Sequence, residues 1–274
     1  MKKIFLSFTF VTILSLISCK EEVKKEETTL QETETIETPT KEVTPFTKDI
    51  ETAHKKNDFL SKEAVSYTIV VKFGGQDYLD AKFTQSVDGT MIKMEKADGE
   101  TIIYDGTEVY TNKADGDLGR ARFDIFTWSY FFALPYKLND NGTIWSDFTN
   151  KPFYGEEVPT GKLSFESNIG DAPDDWYVAY KNPNNNYLVG AAYIVSYGKG
   201  KEKAEEEPHA VKYNNFTEVE GIPFSTDWTY HMWTNETGFG DLIGEAKLSN
   251  ITFSKLNTEV FKKPSDATIV PLNK

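Results

Sequence analysis

The side chains that could do chemistry in this chain are few, and their spacing does not serve it. The three histidines, His54, His209 and His231, lie far apart, and no two have metal-ligand spacing. His54 falls in a predicted helix, His209 in a charged stretch, and His231 between Tyr230 and Met232, on the opposite face of a predicted strand. Serines are plentiful, but none stands in a Gly-x-Ser-x-Gly elbow with a partner base and acid. Glu156-Glu157 is a carboxylate pair of the type a glycosidase needs. In so acidic a chain, with net charge −13, such a pair reads as solvated surface. Asp115-Gly116-Asp117-Leu118-Gly119 begins like a calcium loop, yet it lacks a third ligand and has Phe126 where the bidentate glutamate belongs. It reads as a turn. These residues predict no enzyme, no cofactor and no metal site.

The aromatic residues are more informative. Trp128, Phe132, Tyr193, Tyr197, Trp228 and Tyr230 all fall on predicted inward faces. Two arrangements need this same pattern. One is a dry, filled core; the other is a cavity lined by these rings that holds a lipid or other apolar ligand.

The elements that must position them follow from periodicity. Phe123–Asp140 is a largely apolar and aromatic stretch, with Asp124 or Thr127 as candidate caps and Pro135 as the stop. Phe123, Phe126, Tyr130 and Ala133 share one side of the predicted helix, and Ile125, Trp128 and Phe132 another. A helix apolar almost all round must be buried. An earlier helix is predicted over about 47–57, capped by Thr47. Val65, Tyr67, Ile69, Val71 and Phe73 alternate as a half-buried strand does. Asp-Gly pairs at 88–89, 98–99, 105–106 and 115–116 then punctuate a meander of short strands. Strand signals resume at Gly161 and continue through Trp176–Tyr180, Tyr187–Tyr197, Val211, Phe224–Met232 and Ala246–Leu256, with 198–209 as a charged loop. There is no βαβ rhythm. The prediction is a mainly β fold: a single curved antiparallel sheet of roughly 10–11 strands, an incomplete β-barrel, with helices as plug or lid on its concave side.

The amino terminus carries its own signal. Lys2-Lys3 precede an apolar run from Ile4 to Ile17, too short for a comfortable membrane span and suited to a secretory signal. The run ends Leu16-Ile17-Ser18-Cys19, the pattern of a lipobox, and Cys19 is the only cysteine in 274 residues. Residues 1–18 therefore read as a lipoprotein signal peptide and Cys19 as the lipidation site, with the membrane as partner through that anchor. Lys20-Glu21-Glu22 resembles the lipoprotein export signal of some Gram-negative groups, which implies the outer face of the outer membrane, and a periplasm-facing anchor fits the same residues. Residues 19–46, rich in Glu, Thr and Lys, are predicted to be a disordered acidic tether, leaving 47–274 as the folded domain. The acidity argues against nucleic acid as a partner.

Several short segments carry a resemblance. They are Ile50-Glu51-Thr52-Ala53-His54, Tyr104-Asp105-Gly106, Phe131-Phe132-Ala133-Leu134-Pro135-Tyr136-Lys137-Leu138, Tyr154-Gly155-Glu156-Glu157 and Phe261-Lys262-Lys263-Pro264. With them, about Asp49 to Pro264 resembles an uncharacterised family of lipoprotein domains similar to the outer-membrane lipoprotein carrier and receptor (LolA/LolB-like) superfamily. The resemblance implies an incomplete β-barrel with helices as a lid over an apolar cavity, where the carriers hold lipoprotein acyl chains. It carries no defined ligand residue over to this chain. The expectation is a non-enzymatic lipoprotein anchored in the outer membrane that binds a lipid or lipoprotein acyl chain. The alternative is a cell-surface scaffold lipoprotein with a filled core.

Overall fold

The computed structural model describes residues 43–272. The signal segment, Cys19 and all but the end of the tether lie outside the described residues. The first helix, α1, spans Pro45–Ala53, and its cap is Thr44, whose hydroxyl accepts the Thr47 N–H at 3.3 Å. The helix therefore begins two residues before its predicted start at Thr47. Pro45 suits the first helical position because the N–H it lacks has no intrahelical partner there. Thr47 is instead a buried side chain, bonded to Asn139 at 3.1 Å. A short second helix, α2 (Lys56–Leu60), follows.

Five strands come next: β1 (Ala64–Phe73), β2 (Gln76–Ser86), β3 (Ile92–Lys96), β4 (Thr101–Tyr104) and β5 (Val109–Thr111). The turns between β2 and β5 use Gly89, Gly99 and Gly106 at positive φ, as the Asp-Gly pairs predict. Helix α3 (Leu118–Ala133) and a 3₁₀ turn (Leu134–Tyr136) lead to β6 (Thr143–Phe153) and β7 (Glu156–Phe165). Then come β8 (Tyr177–Lys181), β9 (Leu188–Tyr193), α4 (Lys201–Ala204), β10 (His209–Val219), β11 (Ile222–Thr234) and β12 (Gly238–Ser254). A 3₁₀ turn (Thr258–Phe261) and β13 (Thr268–Val270) end the described chain.

All strands form one open antiparallel sheet in the order β13-β5-β4-β3-β2-β1-β12-β11-β10-β9-β8-β7-β6. The β1–β12 pair is the seam between two wings. The chain builds the first wing outward from β1 to β5. It then crosses through α3 to the far edge and builds the second wing inward from β6 to β12. The crossing helix occupies the interior of the curve: Phe132 stacks on Tyr67 of β1 at 4.0 Å, Phe131 meets Tyr193 of β9 at 4.9 Å, and Phe126 meets Tyr104 of β4 at 5.0 Å. Rings from distant strands reach one helix only if the sheet wraps it.

The structure corrects four details. The sheet has 13 strands because β6 and β13 add to the predicted set. β6 is an edge strand, mostly solvent-exposed, with Pro152 and a bulge between Ser146 and Thr149, so it has no alternating apolar face to read. Helix α3 starts at Leu118, capped by Asp117, whose carboxylate accepts the Arg120 N–H at 3.0 Å. Asp124 and Thr127 are interior to it. Tyr187, Val189, Ala191, Tyr193, Val195 and Tyr197 alternate as one face of a strand would, but while Ala191, Tyr193 and Val195 face the main core, Val189 faces the other side, across a register shift at Tyr180/Lys181. Finally, the 198–209 stretch is not merely an exposed loop. It contains α4, whose Ala204 is buried in a second cluster on the opposite sheet face with Trp176, Val178, Tyr180, Ile194 and Trp233.

Candidate functional site

A cleft of about 460 Å³ lies at the opening between the two wings. That lies within the roughly 300–1,000 Å³ span of small-molecule sites. One wall is the side of α3 that carries Phe123, Phe126, Tyr130 and Ala133. These residues sit at i, i+3, i+7 and i+10, so they form one stripe. The facing walls come from the β2–β5 meander (Ile92, Tyr104) and from the 166–176 segment with the residues flanking it (Phe165, Ile169, Tyr177). Tyr197 completes the aromatic lining. The opposite stripe of α3 is packed: Ile125, Trp128 and Phe132 are buried against the sheet. One helix thus serves the core with one side and the cleft with the other.

Polar groups punctuate the apolar walls. Arg122 grips Asp171 with two bonds, Nε to Oδ2 at 2.5 Å and Nη2 to Oδ1 at 3.0 Å, and its Nη1 donates to the Val270 carbonyl at 3.1 Å. Burial alone would lower the Arg122 pKa, but Asp171 raises it above the ordinary value. Lys137 donates to the Asp88 carbonyl at 3.0 Å and to Asp140 at 2.9 Å. Asp175 accepts the Ser196 N–H at 2.7 Å, yet burial lifts its pKa to about 6. Burial also pushes Tyr130, Tyr177 and Tyr104 above the usual phenol value. Their hydroxyls stay protonated at neutral pH, so the walls are uncharged where they are aromatic. Gln85 and Tyr130, both in the lining, have buried polar atoms without a hydrogen-bond partner.

The six aromatic residues singled out from sequence do not stay together. Tyr197 lines the cleft. Trp128 is buried and donates its indole N–H to Asp124 at 3.1 Å. Phe132 lies between Tyr67 and Phe224, at 4.0 and 5.4 Å. Tyr193 packs on Phe131, Trp228 on Tyr213 at 5.6 Å, and Tyr230 on Trp128 at 5.9 Å. A void of about 20 Å³ borders Phe132 and Trp228, enough for a single water. Trp128 and Phe132 pack against the sheet, and the open volume of the cleft lies on the other side of the plug. Phe123, Phe126 and Tyr130, which line it, are readable from sequence as a separate stripe.

The other residues considered for chemistry are scattered. His54 is buried and accepts the Leu188 N–H at 2.9 Å. His231 lies on the second face, with its ring nitrogens 3.0 Å from the Gly240 carbonyl and 3.1 Å from the Tyr154 hydroxyl. Glu156 and Glu157 are exposed on β7. Among the described residues, no three His, Cys, Asp or Glu side chains are grouped to hold a metal ion, and no helix is long and apolar enough to cross a membrane.

No protein-family model and no curated protein sequence matches the chain. Solved structures do. A LolA superfamily protein from Nitrosomonas europaea superposes with a TM-score of 0.51 at 13% identity, covering 78% of this chain and 97% of its own. A DUF1329 family protein from Desulfovibrio piger gives 0.49 at 11% identity, covering 80% and 98%. A domain from Vibrio parahaemolyticus described as an outer membrane lipoprotein-sorting protein gives 0.47 at 9% identity, covering 79% and 97%. At such identities the likeness is one of fold, and the fold of this chain is LolA-like.

Proposed function

We propose that this chain is a non-enzymatic envelope lipoprotein that binds an apolar chain, of a lipid or of an acylated protein, in the cleft between α3 and the two wings. The observation that carries this reading is the aromatic stripe Phe123, Phe126 and Tyr130 turned to an open volume of about 460 Å³ instead of into the core. Half-buried rings along an open cleft leave apolar area that an acyl chain can cover, at about 0.8 kcal/mol per buried CH₂. The LolA-like fold supports the reading, because the resemblance seen in the sequence implies acyl-chain carriage on such a scaffold. The Leu16–Cys19 lipobox supports an anchor in the outer membrane, with lipid on Cys19.

The test uses the chain with Cys19→Ser, produced without its signal segment and extracted gently. Native mass spectrometry is expected to find co-purified lipid, and a fluorescent fatty acid is expected to bind and be displaced by unlabelled lipid. Phe126→Arg, which places a charge on the cleft wall, is expected to abolish both. Absence of lipid and of probe binding in the unsubstituted cleft would end this reading. Cys19→Ser is also expected to release the protein from membranes; full retention would remove the anchor.

A second reading, a surface scaffold, draws on one observation. Edge strand β6 exposes Ile144 and Phe148 to solvent, the latter by 48%. Under that reading a protein partner covers β6, and pull-down from envelope extracts is weakened by Phe148→Ser while lipid binding is not.

A further inference from the structure

The chain has 28 lysines and only two arginines, Arg120 and Arg122, both at the start of α3. Arginine differs from lysine in presenting a rigid planar fork that matches a two-oxygen anion. At Arg122 that fork is used in full. The residue is buried, with 8% of its surface exposed, and it lies in the cleft lining with Tyr104, Phe123 and Phe126. Nε and Nη2 take both oxygens of Asp171. The remaining nitrogen, Nη1, is anchored to the backbone of β13 through the Val270 carbonyl. The guanidinium is thereby fixed in place from two sides.

Asp171 is held differently. It sits on the irregular 166–176 connection between β7 and β8, and its side chain is partly in water, 21% exposed against 10% for its partner. A fixed, buried cation in the lining of an apolar cleft is thus neutralised by a carboxylate on a surface segment. A buried guanidinium left unpaired is strongly destabilising. An anion that arrives with its own apolar chain can take the place of Asp171 without ever leaving the cation unpaired, while Asp171 moves into solvent.

We infer that Arg122 is the headgroup-binding residue of the cleft, selecting an amphiphile with a carboxylate or phosphate head whose chain lies along Phe126 and Tyr130, and that Asp171 is the internal anion it exchanges for. This rests on the reading that the cleft takes an apolar chain. It adds a head-group class, a polarity for the bound chain, and a residue whose loss improves binding.

The experiment titrates the same Cys19→Ser chain with dodecyl phosphate, dodecanol and inorganic phosphate at neutral pH. One charge-assisted bidentate contact is expected to favour dodecyl phosphate over dodecanol by at least about tenfold. Asp171→Asn is expected to tighten dodecyl phosphate severalfold and leave dodecanol unchanged, a gain that misfolding cannot mimic. Arg122→Gln is expected to keep dodecanol binding and lose the preference, and Arg122→Lys to restore part of it. Inorganic phosphate alone is expected not to compete. Competition by inorganic phosphate would make this a site for free anions and overturn the amphiphile assignment. Equal binding of both amphiphiles in the Asp171-containing and Asp171→Asn chains would overturn Arg122 as the headgroup residue, and the cleft reading would stand. If neither amphiphile binds, the cleft reading falls as well.

Discussion

Asp124 accepts the indole N–H of Trp128 at 3.1 Å, one turn further along α3, with its carboxylate fully buried. The same oxygen accepts the Tyr78 hydroxyl at 3.2 Å, and the other oxygen meets Lys96 Nζ at 3.2 Å and Arg120 Nε at 3.5 Å. The charge is thus paired and bonded, which is the condition for keeping it inside. It ties the plug to β2 and β3. Asp124→Ala leaves the Trp128 N–H and Tyr78 hydroxyl without this acceptor and is expected to cost about 3–5 kcal/mol. Asp124→Asn, which keeps an acceptor but loses the charge, is expected to cost less. Urea unfolding midpoints check both; an unchanged midpoint for Asp124→Ala would refute the role.

His54 gives the fold a pH dependence of known sign. Burial pushes its pKa down to about 3, with the Pro223 carbonyl pulling weakly upward. The ordinary value is about 6.5. The folded state therefore holds the ring neutral, accepting from Leu188. Its contribution is fully present above the ordinary value and is lost as pH falls from there toward 3. A shift of that size corresponds to roughly 3–5 kcal/mol. Asp175 works in the opposite direction: a carboxyl raised to about 6 by burial favours folding more as it protonates. The informative quantity is therefore a difference between proteins. His54→Gln keeps an acceptor for the Leu188 N–H and is expected to lose less stability than the parent chain between about pH 6.5 and 4. Parallel stability curves would contradict this.

How far the sequence reaches is visible in α3. Its two apolar stripes are separable by spacing alone, because the helical period puts Phe123, Phe126 and Tyr130 on one side and Ile125, Trp128 and Phe132 on another. Spacing does not say which side meets the sheet. Residue type left the larger rings, Trp128 and Phe132, open to either a filled core or a cavity wall, and both are buried. The meander β1–β5 was legible because its Asp-Gly turns and one-sided burial both leave a pattern. β6 was not, since an edge strand in contact with water has no periodicity to show. Arg122–Asp171 joins residues 49 positions apart, a contact that only the crossing of α3 between the wings creates.

The β6–β7 turn stores strain for a contact. Tyr154 and Gly155 both have positive φ, +52° and +87°, the geometry of a two-residue hairpin turn. Tyrosine is a poor choice there on backbone grounds. Its hydroxyl lies 3.1 Å from His231 Nε2, and Lys212 Nζ is 3.9 Å from its ring centre. His231 Nδ1 donates to the Gly240 carbonyl, so Nε2 is the acceptor, 3.0 Å from the Thr229 hydroxyl and 3.1 Å from the phenol. Tyr154→Phe keeps the ring and removes the bond, with an expected cost of about 0.5–1.5 kcal/mol. Tyr154→Asn relieves the backbone but loses both contacts. Hydrogen exchange over 150–158 is expected to quicken in both variants. Protection equal to the parent's would show that the hairpin does not depend on this latch.

Gly142 and Ile169 set the position of the outer cleft wall. Gly142 has φ +78°, and a Cβ there would overlap the Ile169 side chain. The segment beyond is tied to the same point, with Glu166 N donating to the Gly142 carbonyl at 2.9 Å and Ile169 N to the Glu166 carbonyl at 3.1 Å. Gly142→Ala therefore adds two effects: an L residue in the left-handed region, about 1–2 kcal/mol, and displacement of Ile169 from the cleft rim. Gly170→Ala is the matched control. Its φ is +67°, but nothing lies within 4 Å of the added carbon. Both substitutions strain the backbone; Gly170 is itself in the cleft lining, but only at Gly142 does the added carbon overlap a wall side chain. Gly142→Ala is expected to loosen hydrogen exchange over 166–175 and to speed release of a bound fluorescent fatty acid, with the β1–β12 seam as protected as before. Gly170→Ala is expected to lower the melting temperature without changing release. If the two variants release the probe at the same rate, the Gly142–Ile169 contact does not govern the wall, and the 166–176 segment is held by the Arg122–Asp171 pair instead.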